Sequence, residues 1–337
     1  MTYPDDFINK VICGDALLTL KELPPESIDC CITSPPYWGL RDYGMSGQFG
    51  LEKTPEEYVA KMVGMFREVK RVLKKEGTCW LNLGDSYMSG GGASRHHGYT
   101  DPKWKEARKI EHFEPQAYPH KTIKPKDLVG IPWRVAFALQ SDGWYLRQDI
   151  IWAKPNPMPE SVTDRCTKSH EYIFLLAKSQ KYYFDNEAIR EKASTEVAER
   201  KRLNGQSAEE GKKSGHQRNC GVKMATPFLK GQQAQVRENH DIHYDKRETY
   251  GQRNKRSVWT ITTKPFKEAH FATFPEDLIV PMVKAGCPQK GIVLDPFIGA
   301  GTTGIVARKL GRNYLGIELN PKYVKMAEQR LRQEILL

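Results

Sequence analysis

The sequence predicts an α/β protein built on one doubly wound, mostly parallel sheet that is interrupted by a polar insertion. Three observations carry this. From Asn9 to about Phe184, short β-branched or apolar runs alternate with helical patterns, as in βαβ architecture. After Ser257 the same texture returns. Between them, residues 185–256 are polar and rich in Gln, Lys and Gly, with 16 basic against 11 acidic side chains.

Strands are expected at Lys10 to Cys13, Ile28 to Thr33, Thr78 to Leu83, Trp144 to Ala153 and Tyr172 to Ala177. Helices fit Ala16 to Glu22, Pro55 to Lys74 and Asp127 to Gln140. The second has proline in its first turn, then Tyr58, Met62, Met65, Phe66, Val69 and Val72 at helical spacing. The interval 86–126 is too long for an ordinary connection and holds Gly90-Gly91-Gly92, Arg95, His96 and His97, as functional or disordered loops do. Beyond the insertion, Gly291 to Leu294 reads as a strand, Thr302 to Leu310 as a helix, Asn313 to Glu318 as a strand and Pro321 to Leu336 as a terminal helix. Three domain segments follow: 1–184, a target-contacting insertion at 185–256, and 257–337.

Composition narrows the class. At 337 residues and 39% apolar content the chain fills a real core, which excludes general disorder. No run approaches a membrane span and the first residues lack the pattern of a secretory signal, so a soluble, cytoplasmic protein is expected. The 52 basic and 41 acidic residues leave a charge of +11, which favours a polyanionic partner. Seven cysteines occur with no C-x-x-C pair and no His at metal spacing, so no metal is expected, and Cys30 and Cys31 read as core.

The segment Asp295-Pro296-Phe297-Ile298-Gly299-Ala300-Gly301-Thr302-Thr303-Gly304 places G-x-G-x-x-G between a strand and a helix start. Such a turn brings a ligand against backbone N–H groups at the positive helix end. Glu318 ends the next strand, where a carboxylate accepts both hydroxyls of an adenosine ribose. Only nineteen residues follow Glu318, so the other strands of the sheet must come from the N-terminal part. The strand ending at Gly14-Asp15 is then expected beside the one ending at Glu318. Asp15 would accept from an adenine amine; its plainer reading is a helix N-cap on Ala16 to Glu22.

A second motif, Thr33-Ser34-Pro35-Pro36-Tyr37-Trp38, ends an apolar strand. Two prolines fix the backbone and leave the Ser34 and Pro35 carbonyls without local amide partners. Acceptors beside a stacking ring suit methylation of a nucleobase amine. That nitrogen is conjugated with its ring, and acceptors on its two N–H bonds, here Ser34 Oγ and the Pro35 carbonyl, favour the tetrahedral transition state. Tyr37 and Trp38 would stack on a base rotated out of the duplex.

These two motifs resemble those of the S-adenosylmethionine-dependent DNA amino-methyltransferases. Ser34-Pro35-Pro36-Tyr37 resembles the catalytic motif, and Asp295, Phe297, Gly299, Gly301, Thr302 and Thr303 resemble the donor-binding motif. Their order, catalytic motif first, is similar to the permuted β class, which implies a circularly permuted Rossmann-like methyltransferase domain. Ala269 to Pro275 resembles that subgroup's donor-pocket helix entry, implying donor contacts from His270, Phe271 and Phe274. The segments 150–156 and 170–174 also resemble family segments, with no chemistry assigned to them.

The resemblance implies a site-specific DNA methyltransferase in which Ser34, Pro35, Pro36 and Tyr37 carry the chemistry. It favours cytosine N4 over adenine N6, because Ser at the first motif position tends to accompany the former. Cytosine C5 chemistry fits poorly, since no Cys follows a Pro. Double-stranded DNA is the expected partner. The insertion, with Arg202, Lys213, Arg218, Arg253 and Arg256, is expected to contact phosphates or base edges. A restriction endonuclease as functional partner is compatible with this reading, and monomer and homodimer both remain open. Methylation of RNA or of a protein amide ranks lower because those enzymes generally place the glycine turn first; an inactive DNA-binding protein ranks lowest.

Overall fold

The computed structural model describes residues 3–40, 44–88, 120–192, 252–263 and 275–333. In chain order its elements begin β1 (Lys10–Cys13), α1 (Ala16–Glu22), β2 (Ile28–Thr33), α2 (Pro55–Val72), β3 (Leu73–Leu83), α3 (Ile131–Ser141), β4 (Tyr145–Ala153) and β5 (His170–Ala177). They continue with β6 (Glu191–Lys192), β7 (Gln252–Arg253), β8 (Val258–Thr260), α4 (Glu276–Gly286), β9 (Ile292–Asp295), α5 (Thr302–Lys309), β10 (Asn313–Glu318) and α6 (Pro321–Gln333).

Every position of β2 is buried, which explains its unbroken apolar reading: a central parallel strand is covered on both faces. Cys31 packs on one side with α1, α2 and α3, whereas its neighbours Cys30 and Ile32 pack on the other with α4, α5 and α6. The sheet has eight strands in the order β1-β10-β9-β2-β3-β5-β4-β8. Among these, β5 runs antiparallel to both of its neighbours, and the remaining pairs are parallel. The expected adjacency of the first strand and the one ending at Glu318 is present, with Cys13 facing Glu318. The carboxyl ends of β1, β10, β9, β2, β3 and β4 therefore share one rim.

Helix α2 shows how the sequence builds a layer. Thr54 caps it by accepting from Glu57 N, Pro55 occupies the first turn, and Glu56 and Glu57 complement the positive end. Its buried stripe runs from Tyr58 to Val72, each side chain contributing about 1.5–3 kcal/mol by leaving water. The expected helix overran its end, because Leu73 already pairs with Ile28 and the chain passes from helix to strand without a loop. Helix α3 starts at Ile131 rather than Asp127, since Gly130 takes a left-handed conformation there (φ 78°). Four elements had no expectation: α4, whose pattern is broken by Pro281, the three-residue edge strand β8, and the two-residue strands β6 and β7.

The chain divides into two compact units, Met1–Ile189 with Arg256–Leu337, and Arg190–Lys255. In the second unit, β6 and β7 form an antiparallel ribbon in which Arg253 Nε donates to Glu191 Oε1 at 3.0 Å. Among the described residues no helix is long and apolar enough to cross a membrane, and no group of three or more His, Cys, Asp or Glu is set to hold a metal ion.

Candidate active site

Strands β9 and β2 are neighbours, with Leu294 paired to Cys31, so their carboxyl ends bring the two motifs together. Asp295 is the joint. Its Oδ1 accepts from Thr33 Oγ1 at 2.7 Å and from Phe297 N at 3.1 Å, and its Oδ2 accepts from Thr303 Oγ1 at 2.6 Å. Burial pushes this carboxyl up to about 6, although all three donors favour its charged form. Asp295 and Thr303 thus spend their polar atoms holding the glycine turn to the end of β2. Thr302 is also buried, within reach of Arg330 Nη1 at 3.4 Å. Gly301 is left-handed (φ 87°), and a Cβ there would stand 3.1 Å from that of Ala327.

Glu318 faces the same turn. Its Oε2 accepts from Gly299 N at 3.1 Å and its Oε1 from Asn320 N at 2.8 Å. Burial raises its pKa, opposed by these amide bonds. Asp15 follows β1, where Gly14 N donates to the Glu318 carbonyl at 3.0 Å. Its Oδ1 accepts from Leu18 N at 2.9 Å, the N-cap role that was its plainer reading. Phe297 is half-buried, edge-on to Phe49 at 5.3 Å. The space at Gly299 is open, the nearest atom to an added Cβ being the Phe297 carbonyl oxygen at 4.0 Å. Two carboxylates with unspent lone pairs at adjacent strand ends, beside an open glycine turn, fit an adenosine-bearing donor.

Beyond β2, the proline corner is fixed from several sides. Tyr58, fully buried on α2, donates its hydroxyl to the Pro36 carbonyl at 3.0 Å. Gly84, just after β3, underlies the Tyr37 ring so closely that a Cβ would lie 2.5 Å from Cε2. Tyr37 Oη donates to Glu171 Oε2 at 2.8 Å and accepts from Ser34 Oγ at 3.2 Å. Asn82 Nδ2 reaches Tyr37 Oη at 2.7 Å, Glu171 Oε2 at 2.9 Å and Ser34 Oγ at 3.3 Å. Lys154 Nζ pairs with the other Glu171 oxygen and sits 4.3 Å from the Trp152 ring centroid. The phenol of Tyr37 is raised well above its ordinary pKa, first by burial and then by Glu171, so it stays protonated.

The structure brings Ser34, Pro35, Pro36, Tyr37, Asp15, Asp295, Phe297, Gly299, Gly301, Thr302, Thr303 and Glu318 to one rim. Trp38 is the correction. It is 5% exposed and donates its indole N–H to the Glu52 carbonyl at 2.9 Å, so its ring belongs to the core and offers no face to a base. Arg253 is engaged with Glu191, and Arg256 is exposed. The expected contacts at His270, Phe271, Phe274, Arg202, Lys213 and Arg218 lie outside the described residues. Sequence reasoning missed Asn82, Glu171, Lys154, Gly84 and Tyr58. Two of these, Lys154 and Glu171, fall in the segments that resemble the family without an assigned role.

A protein-family model described as DNA methylase (N6_N4_Mtase) matches residues 28–329. The Type II methyltransferase M.Cfr9I of Citrobacter freundii is 45% identical over 321 residues, covering 95% of this chain and 87% of the relative. The Type II methyltransferase M.SmaI of Serratia marcescens is 44% identical over 322 residues, covering 96% and 90%. Among solved structures, a candidate DNA modification methylase of Thermus thermophilus, in complex with S-adenosyl-L-methionine, is 21% identical with a TM-score of 0.55 and covers 97% of this chain and 94% of that one. PvuII DNA methyltransferase, described as cytosine-N4-specific, is 16% identical with a TM-score of 0.57, covering 96% and 90%. These two structures share the fold.

Proposed function

This chain belongs to the DNA methylase family, and on that premise we propose that it transfers a methyl group from S-adenosylmethionine to the exocyclic amine of a base flipped from duplex DNA, with cytosine N4 favoured. The observation that carries the reading is the Thr33–Asp295 bond, which ties the proline corner to the glycine turn at one rim. The bound donor supplies a methyl made electrophilic by its sulfonium. Glu318 and Asp15 accept from the adenosine part, and Asp295 keeps the turn in place. Ser34 Oγ and the Pro35 carbonyl accept from the amine and favour its tetrahedral form. The Pro36 carbonyl accepts from Tyr58, which holds the corner from the side of α2. Tyr37 supports the flipped base with its ring.

The preference for cytosine rests on Ser34 at the first motif position; adenine N6 presents the same amine beside a ring nitrogen and is the second reading. Residues 185–256, including Arg202, Lys213, Arg218 and Arg253, together with Arg256 at their border, are proposed to contact DNA. Both Type II relatives bear names of that series, and a restriction endonuclease of the same specificity is the corresponding functional partner.

Incubation with duplex DNA and labelled donor, followed by digestion and mass analysis of the nucleosides, is expected to yield N4-methylcytosine. N6-methyladenine would move the base assignment, and DNA left unmethylated would sink the reading. Gly84→Ala supplies a further test: the added methyl displaces the Tyr37 ring, and a misplacement of about 1 Å costs on the order of 10²-fold in rate. Calorimetry is expected to find donor affinity unchanged in that variant.

A further inference from the structure

The methylated amine must lose a proton, and the hydrogen bonds around Tyr37 give that proton a direction. The Glu171 carboxylate can only accept, so the Tyr37 hydroxyl donates to it. With its own proton committed, Tyr37 Oη accepts from Ser34, whose hydroxyl proton therefore points away from the base. Asn82 spends its two amide hydrogens on the nearest acceptors, Tyr37 Oη at 2.7 Å and Glu171 Oε2 at 2.9 Å. Its contact with Ser34 Oγ is the longest of the three, at 3.3 Å. Ser34 Oγ is thus left with lone pairs for the amine, and everything behind it is oriented by one carboxylate.

We propose that Glu171, acting through Tyr37 and Ser34, is the positioning residue that fixes the Ser34 hydroxyl as an acceptor and takes up the proton displaced from the amine. This deepens the proposed function and rests on it. As the amine nitrogen forms its N–CH3 bond, the CH3–S bond breaks with its electron pair going to sulfur. The nitrogen, now cationic, gives one proton to Ser34 Oγ. Ser34 passes its former hydroxyl proton to Tyr37 Oη, and Tyr37 passes its own to Glu171 Oε2, which becomes a carboxylic acid and later releases the proton to water. Neither hydroxyl changes its charge in the completed transfer. A protonated, ring-conjugated amine is a far stronger acid than a carboxylic acid, so a carboxylate is a sufficient acceptor even while Lys154 holds its other oxygen.

Several charged or titratable groups face Glu171: Tyr37 from the corner after β2, Lys154 from the end of β4, and Lys168 and His170 at the start of β5. Burial is the largest cause lowering the pKa of both Lys168 and His170.

The test is single-turnover methylation of a duplex oligonucleotide by the full chain, for wild type, Glu171→Gln, Glu171→Asp and Tyr37→Phe. Glu171→Gln is expected to slow methyl transfer about 10²-fold or more while donor and DNA dissociation constants stay within about twofold. Glu171→Asp, which keeps a carboxylate on the relay, is expected to recover much of the rate that Glu171→Gln loses. Tyr37→Phe keeps the ring but cuts the relay, and is expected to be slowed comparably. Wild-type rates in either Glu171→Gln or Tyr37→Phe overturn the relay, as does a Glu171→Asp no faster than Glu171→Gln. If Glu171→Gln does not fold, the Tyr37→Phe rate decides alone. A wild-type protein that methylates no nucleoside overturns the parent function and the relay with it, a result distinct from an active wild type with indifferent variants.

Discussion

Asp295→Ala is expected to lower folding stability by about 3–5 kcal/mol near pH 5, because three buried donors, the Thr33 and Thr303 hydroxyls and the Phe297 amide, lose their acceptor. The loss depends on pH in a calculable direction. In the folded protein the Asp295 carboxyl is pushed up to about 6, above its ordinary 3.8. Below about pH 4 both folded and unfolded chains hold the proton. As pH rises toward 6 the unfolded chain releases it first, so the wild type loses stability across that window, about 3 kcal/mol in total. The deficit of Asp295→Ala should therefore narrow by about 1 kcal/mol between pH 5 and 7. Asp295→Asn, which keeps an acceptor for Phe297 and carries no charge, should lack this pH component altogether. Urea unfolding of the three proteins at pH 4, 5, 6 and 7 checks it; a pH-independent difference would show that Asp295 does not titrate in that range.

Ser34→Ala is expected to cut the methyl-transfer rate about 10²–10³-fold, the usual effect of removing one group that stabilises a transition state by hydrogen bonding. Donor affinity should hardly move, since the Glu318 and Asp295 contacts at the glycine turn do not involve Ser34. Tyr37 keeps its bonds to Glu171 and Asn82 in that variant, so the stacking ring stays in place. Rapid-quench single turnovers paired with calorimetry separate the two quantities. Parallel loss of rate and donor affinity would remove Ser34 from the chemistry and make it a structural residue.

The parts of the fold that were legible in the sequence are those whose local pattern and tertiary role agree. β1, α1, β2 and β10 have the expected boundaries because apolar runs, caps and turn residues coincide there. The first half of β3 was hidden, since Lys74, Lys75 and Glu76 look like a helix tail and only pairing with β2 makes the segment a strand. Both motifs of the site were legible because prolines and glycines impose backbone conformations that can be read locally. Glu171, Asn82 and Lys154 were not. Each is an ordinary polar residue at a strand end, and its meaning comes from neighbours 134, 45 and 17 positions away. Trp38 misled for the opposite reason: next to Tyr37 it looked like a second stacking ring, but its indole is satisfied by Glu52 in the core.

The bond between Asn9 and Tyr314 joins positions 305 apart, and β2 rests on β9 across a comparable interval. On the ribosome, the half of the sheet that cradles the donor stays unfinished until β9 and β10 emerge. Until then the Cys30 and Ile32 face and one hydrogen-bonding edge of β2 remain available to other chains. Nascent protein should accordingly depend on chaperones more heavily than an enzyme whose donor half is synthesised first.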